Sequence, residues 1–250
     1  EVGRILEIED ILNRSVSGLS GGDRQKVALG RAIVREPKCF LMDEPLGALD
    51  VEFREQISEE LRNLHDRMGA TTVYVTHDQL EAMQMGDKIV VMNHGVIEQF
   101  GEPQVIYDQP ATMFVADFIG SPSMNFLEFS GVVEAGSEAV VLDGRPFTVP
   151  QLRNGFSGDM VFGVRPEHIV LTDDSGYRGE VTATEYLGTT QIVTLATPNG
   201  ELKARIASHQ TAKVGETVGL HFNGATVTLF DKASGGALKS SLNEGTLAHD

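Results

Sequence analysis

Residues 19–32 read "LSGGDRQKVALGRA": a serine and two glycines set directly before a helical pattern. Ser20 can cap that helix and offer a hydroxyl. Gly21 and Gly22 let a ligand approach the backbone with no Cβ in the way. The first N–H groups of a helix lack internal partners and carry a partial positive charge, so the stretch suits a phosphate or another anion. It also reads as a plain serine cap after a flexible turn. Leu19–Asp23 alone does not separate the two, so the rest of the chain must.

The 250 residues are 41% hydrophobic, enough for one large core or two modest ones. A formal net charge of −16 excludes nonspecific nucleic-acid binding, which needs dense Lys and Arg, but leaves nucleotide binding open. Cys39 is the single cysteine, so no internal disulfide framework exists and a reducing compartment is expected. No apolar run reaches the ~18 residues of a spanning helix, and no signal peptide is visible. The sequence opens at Glu1 without a Met and is expected to be a fragment.

Outward from the opening motif, helix and strand alternate. "EVGRILEIEDILNR" places Ile5, Ile8, Ile11 and Leu12 at helical spacing. A second helix is expected from Asp23 to Arg35, ended by Pro37, and "CFLM" reads as a short buried strand. Phe53, Ile57, Leu61 and Leu64 form the stripe of a third helix, stopped at Gly69, and "TTVYVTH" is a β-branched strand. "DQLEAMQMG" returns to helix, and "KIVVMNHGVIEQF" is a hairpin turned at Asn93-His94-Gly95. Two short helices near Pro103 and Pro110 lead to Gly120. This is an α/β pattern with a partly parallel sheet. From about Phe126 to Asp231 short alternating strands replace it, the pattern of a small β-barrel or sandwich. The expected domains are therefore residues 1–120 and 121–231, the second folding independently, with 232–250 a small, polar, disordered tail.

Four further residues carry chemistry. Asp43 and Glu44 stand just past the buried strand. A carboxylate there can hold Mg²⁺, and a neighbour can orient or deprotonate an attacking water. They also read as acidic residues at the start of the next helix, as does Asp50 at the end of "LGALD". His77 ends the second strand. Parallel sheets bring ligands to the carboxyl ends of their strands, so His77 and Glu44 can converge.

In order, "LSGGD", "RQKVALGRAI", "FLMDEP", "LGALD" and "VTHD" resemble the signature, Walker B, D-loop and switch-histidine motifs of ABC transporter ATPase subunits. "KIVVMNHGVIEQFGEP", "FVADFIGSPSMNFL" and "GVRPEHI" resemble the branch that drives uptake of maltose, other oligosaccharides, polyols or glycerol 3-phosphate. The resemblance spans residues 1 to about 231. It implies part of an ABC-type P-loop nucleotide-binding domain, then an all-β regulatory domain of TOBE or OB-like fold. It implies ATP and Mg²⁺ as cofactors. Ser20, Gly21 and Gly22, with Asp23 beside them, would face the γ-phosphate of ATP on an opposite subunit. Asp43 would bind Mg²⁺ through water, Glu44 would be the general base, Asp50 would cross the dimer interface, and His77 would hold the attacking water. The implied partners are a second ATPase subunit, identical or related, the transmembrane permease subunits and, indirectly, a periplasmic or surface substrate-binding protein. The implied location is the cytoplasmic face of a bacterial membrane.

Two departures stand out. No G-x-x-x-x-G-K-[ST] loop occurs, because the chain has no Gly-Lys pair. Asp23 occupies the usual glutamine position of the signature, where an added negative charge should weaken triphosphate binding slightly. A soluble ABC protein of another class is an alternative, but two cassettes or a long coiled-coil insertion would then be expected. A regulatory module that senses a ligand or partner through the β-domain is compatible with the importer reading. Lacking the lysine loop for the β- and γ-phosphates, the 250-residue chain alone is expected to hydrolyse no ATP. Magnesium-dependent turnover by the purified chain, free of contaminating ATPase, would refute this.

Overall fold

The computed structural model describes residues 2–35, 37–47, 49 and 51–243, with the backbone alone for 51–53, 55, 56, 64 and 68. It divides into two compact units, Glu1–Asp87 and Lys88–Asp250.

The first unit runs α1 (Val2–Ile5), α2 (Gly21–Ile33), β1 (Cys39–Asp43), α3 (Val51–Met68), β2 (Thr71–Val75) and α4 (Gln79–Met85). β1 and β2 pair in parallel, from Cys39 opposite Thr71 to Asp43 opposite Val75. Parallel neighbours need a crossover, and α3 supplies it. Leu29 and Ile33 of α2, Phe40 of β1, Leu46, and Ile57 and Leu61 of α3 share one apolar core. Phe53 and Leu64, expected on the same stripe as Ile57 and Leu61, have side chains outside the described residues. The expected first helix stops at Ile5. Glu7 turns the chain with φ +51°. Leu6, Ile8 and Ile11 are buried along that turn, whereas Leu12 stays exposed. Their spacing imitated a helix because a compact turn also delivers apolar side chains to one side.

The second unit opens with a hairpin, β3 (Ile89–Asn93) and β4 (Val96–Gly101), followed by α5 (Pro103–Asp108) and α6 (Met113–Phe118). The strands continue as β5 (Asn125–Val133), β6 (Ala139–Leu142), β7 (Arg145–Thr148), β8 (Phe156–Val164), β9 (Ile169–Thr172), β10 (Arg178–Tyr186), β11 (Thr190–Thr197), β12 (Gly200–Ala207), β13 (Thr217–Phe222) and β14 (Thr228–Asp231). A five-stranded sheet, β12-β11-β10-β13-β9, and a three-stranded sheet, β14-β8-β5, are antiparallel throughout. Both line one core that includes Leu127, Phe162, Val181, Val193, Leu202 and Leu220. Phe147, Phe162, Tyr177 and Phe222 cluster there with ring centroids 5.4–5.9 Å apart. Such offset and edge-on contacts add to the burial of the rings themselves.

The units do not divide where composition changes. The boundary expected at residues 120–126 falls inside the second unit, because residues 88–120 are bonded to the strands. The buried Gln99 side chain donates to Gln109 O (2.9 Å) and accepts from Ala111 N (2.8 Å). Ala116 of α6 packs with Met124, Val161 and Phe230. Asn125 donates to Val164 O (3.1 Å) and Lys203 O (2.9 Å) and accepts from Lys203 N (2.7 Å). "GSPSMN" is therefore bonded structure. Part of the expected tail, residues 232–243, is bonded as well. Residues 232–243 fold back: Gly236 bridges Thr112, Ala237 bridges Phe230 and Ser240 bridges Leu152. Small polar residues suit this strap because Ser240 and Asn243 bond each other where they are buried. Residues 244–250 lie outside the described residues. No helix among the described residues is long and apolar enough to cross a membrane.

Arg165 organises this unit. Its side chain is among the largest fully buried ones. Its guanidinium donates to Tyr107 O (2.8 Å), Ala116 O (3.2 Å) and Ile119 O, and lies 4.1 Å above the Tyr107 ring. Gly120, at φ +120°, makes room for it, since a Cβ there would stand 2.7 Å from Arg165 Nη1. Arg165→Met keeps much of the volume but leaves these carbonyls without their donor. It is expected to cost about 3 kcal/mol or more, read by calorimetric unfolding. A loss below about 1 kcal/mol would show that the carbonyls find other partners.

Candidate functional site

The site grows from the carboxyl ends of β1 and β2. Beyond the Asp43–Val75 pair the ladder gains one more bond, as Glu44 N donates to Val75 O (2.8 Å). Glu44 then leaves the strand in the left-handed region at φ +44°, a conformation costly for a non-glycine residue. Its carbonyl accepts from Gln25 Nε2 at 2.9 Å, and the same amide reaches Pro45 O. The turn is thereby fastened to α2. From it the Glu44 carboxylate meets His77, with Oε1 2.9 Å from Nδ1. The convergence expected of these two residues is present. Asp43 is exposed, and among the described residues its carboxylate makes no hydrogen bond or ion pair.

Glu44 and His77 remain open, with 52% and 75% of their side chains exposed. Water screens such a pair, so it adds little to stability. It does set charge. The hydrogen bond to the Glu44 carboxylate, and then its negative charge, raise the His77 pKa above 6.5. With Nδ1 protonated, the imidazole donates to the carboxylate.

His77 is held from both sides. Thr76 Oγ1 donates to Glu81 Oε2 (2.8 Å) and accepts from Asp78 N (3.0 Å). Asp78 caps α4, accepting from Leu80 N (2.9 Å) and Glu81 N (3.3 Å). Glu81 itself is buried. It also accepts from Tyr74 OH (3.1 Å) and pairs with Arg54 (Nε to Oε1, 3.6 Å). Burial, and then the Glu81 charge, push the Tyr74 hydroxyl far above its ordinary range. It therefore stays a donor.

The glycine-led motif is a closed cap. Ser20 Oγ accepts from Asp23 N (3.1 Å), and Asp23 Oδ2 accepts from Ser20 N (3.3 Å), the reciprocal pair of a capping box. Asp23 thus has a local task, and its bonds to Ser20 hold its carboxyl below the ordinary range. Gly21 and Gly22 open α2, and the space beside Gly21 is empty. Among the described residues no hydrogen bond or ion pair joins Ser20–Asp23 to Asp43, Glu44 or His77; Gln25 is the link between α2 and the strand-end turn. Asp50 lies outside the described residues. Among the described residues no group of three His, Cys, Asp or Glu is placed to hold a metal alone.

Sequence reasoning missed Gln25, Arg54, Tyr74, Thr76 and Glu81. The Ser-x-x-Asp spacing of the first cap was available as a signal. Asp78-x-x-Glu81 has the same spacing but misleads, since the Glu81 carboxylate turns into the unit instead of back to Asp78 N.

Residues 2–47 match the ABC transporter family, 120–169 the MalK OB fold domain and 162–230 the TOBE domain. The ABC transporter ATP-binding protein YurJ of Bacillus subtilis is 44% identical over 243 residues, covering 91% of this chain and 66% of its own. The sn-glycerol-3-phosphate import ATP-binding protein UgpC of Salmonella choleraesuis is 43% identical, covering 94% and 67%. The trehalose/maltose import ATP-binding protein MalK of Thermococcus litoralis is 41% identical, covering 95% and 67%. The chain belongs to the ATP-binding proteins of ABC transporters, in the group that joins an α/β ATPase region to MalK-type OB and TOBE domains. It spans about two thirds of the length of these relatives. Among solved structures, the cytoplasmic molybdate-binding protein ModG covers 42% of this chain and 94% of its own at 17% identity and a TM-score of 0.34, too low to bear on the fold.

The His77–Glu44 pair has a pH signature. The folded pKa of His77 lies above the unfolded value near 6.5. The pair's stabilising effect is therefore complete below the unfolded value and is lost as pH rises through the folded one. In an NMR titration, His77 is expected to titrate above 6.5 and to fall back toward it in Glu44→Gln. An unchanged midpoint in that variant would remove Glu44 as the cause.

Proposed function

We propose that this chain forms part of the ATP-hydrolysing, energy-coupling subunit of an importer for sugars, polyols or glycerol 3-phosphate. The observation that carries the reading is the Glu44–His77 pair, which joins a carboxylate to an imidazole across the ends of two parallel strands. Relatives described as glycerol-3-phosphate and trehalose/maltose import proteins support the substrate range.

Bound MgATP supplies the γ-phosphoryl group and the cation that neutralises its charge. Asp43, whose carboxylate has no partner among the described residues, is suited to hold Mg²⁺ through water, and a magnesium site completed by phosphate oxygens needs no cluster of three protein ligands. Glu44 takes the proton of the attacking water. His77 orients that water and donates hydrogen bonds where negative charge develops. Ser20, Gly21, Gly22 and Asp23 present the α2 N-terminus to nucleotide held by a second ATPase subunit, with Asp50 at the same interface. The two subunits act on transmembrane permease subunits at the cytoplasmic face of the membrane, and a separate substrate-binding protein selects the cargo. Nucleic acid has no part in this reading, given the net charge of −16.

The test is the full-length protein reconstituted with its permease. Glu44→Gln keeps shape but removes the basic oxygen, so turnover is expected to fall on the order of 10²–10⁴-fold while ATP binding survives. His77→Ala should behave similarly, and Asp43→Asn should weaken the response to Mg²⁺. Near-normal turnover in Glu44→Gln would overturn the assignment of the base.

A further inference from the structure

The geometry points to Glu81, Arg54 and Thr76 as the positioning set that aims His77. This rests on the reading of Glu44 and His77 given above. Glu81 is 5% exposed, and hydrolysis as described gives it no task. A buried carboxylate in this short helix is expensive unless every lone pair is used. Here Oε2 accepts from Tyr74 and Thr76, and Oε1 faces the Arg54 guanidinium at 3.6 Å. An apolar side chain would pack more cheaply. A carboxylate adds direction, because one partner, Thr76, directly precedes His77, and another, Arg54, also reaches Asp78, which directly follows it.

The connections run in two directions. On one side, Thr76 is tied to Glu81 and itself anchors Asp78 N, so both backbone neighbours of His77 are held. On the other side, Arg54 Nη1 reaches Asp78 Oδ2 at 3.3 Å, while Nη2 donates to Leu49 O at 3.4 Å. Arg54 thus spans from the "LGALD" turn to the loop that carries His77. The Glu44–His77 pair is too exposed to fix the imidazole by itself. The half-buried network behind it, centred on the buried Glu81 carboxylate, supplies the rigidity, and the turn before α3 is mechanically joined to the histidine loop through one guanidinium.

The test uses charge-neutral or charge-conserving changes, so that an altered field at His77 does not imitate a positional effect. Thr76→Val in the full-length protein removes the hydroxyl at nearly constant volume, Thr76→Ser restores it, and Arg54→Lys keeps the charge but loses the fork. Steady-state ATP hydrolysis is read alongside the ¹H–¹³C signal of the His77 ring at one fixed pH. Thr76→Val is expected to lower kcat about ten- to a hundredfold with KM for ATP unchanged, as small misplacements of reacting groups do. The His77 signal should move toward that of an unstructured histidine, and Thr76→Ser should recover both readouts. A folded Thr76→Val protein with unchanged kcat and an unchanged His77 signal overturns the proposal, as does a rise in KM alone. If Thr76→Val does not fold, Arg54→Lys takes its place: a lowered kcat with a shifted ring signal upholds the proposal, and no change in either overturns it. If the wild-type protein hydrolyses no ATP, the ring signal decides alone. Its movement upholds the positioning set while the catalytic reading of Glu44 and His77 falls.

Discussion

The parallel ladder between β1 and β2 is the constraint on which the site depends. It fixes register, and a slip of one residue would turn every side chain to the other face. With Asp43 level with Val75 and one bond added from Glu44 N, the two strands end together. Only then do a residue one step past β1 and a residue two steps past β2 lie within hydrogen-bonding distance. The exposed pair they form cannot enforce that meeting. It is the outcome of backbone hydrogen bonds behind it, of the Gln25 amide on the Glu44 carbonyl, and of the buried Glu81 carboxylate.

How much of this was legible follows from what kind of signal each residue leaves. Asp43, Glu44 and His77 were readable because position at a strand end has a meaning in parallel sheets. The strands were readable too, as short β-branched or apolar runs beside turn residues, although β1, expected to be buried, buries only Phe40. Glu81 and Arg54 were not. A lone glutamate in the first turn of a helix looks like a cap or a solvated face, and only three-dimensional packing turns it inward. Asp23 shows the reverse. Read as a charge, it was a liability for anion binding; read by its spacing from Ser20, it is half of a capping box. The early apolar spacing around Ile5–Leu12 failed because a turn and a helix can bury residues at the same intervals.

In the second unit a change of texture falls within densely bonded structure. Composition shifts near Gly120, where helices give way to strands, yet Arg165 reaches back across that point to the carbonyls that end α5 and α6. A buried guanidinium needs several acceptors, and helix C-terminal carbonyls are orphans looking for donors. The two needs meet, and they weld residues 88–120 to the sheets. Nothing in a local window of sequence announces such an arrangement, because both sets of groups are ordinary when considered alone.

The strap over residues 232–243 has a bearing on how the chain is made. Gly236 pairs with Thr112 and Ser240 with Leu152, so it fastens segments synthesised long before it. During translation these early partners leave the ribosome with their edges uncovered, and they stay so until every strand of both sheets has followed. Long-range closure of this kind is slow, and unpaired edges are the surfaces through which nascent chains aggregate. For this unit, the vulnerable interval in a cell is thus the passage between the emergence of α6 and the arrival of a dozen small, polar residues that complete it.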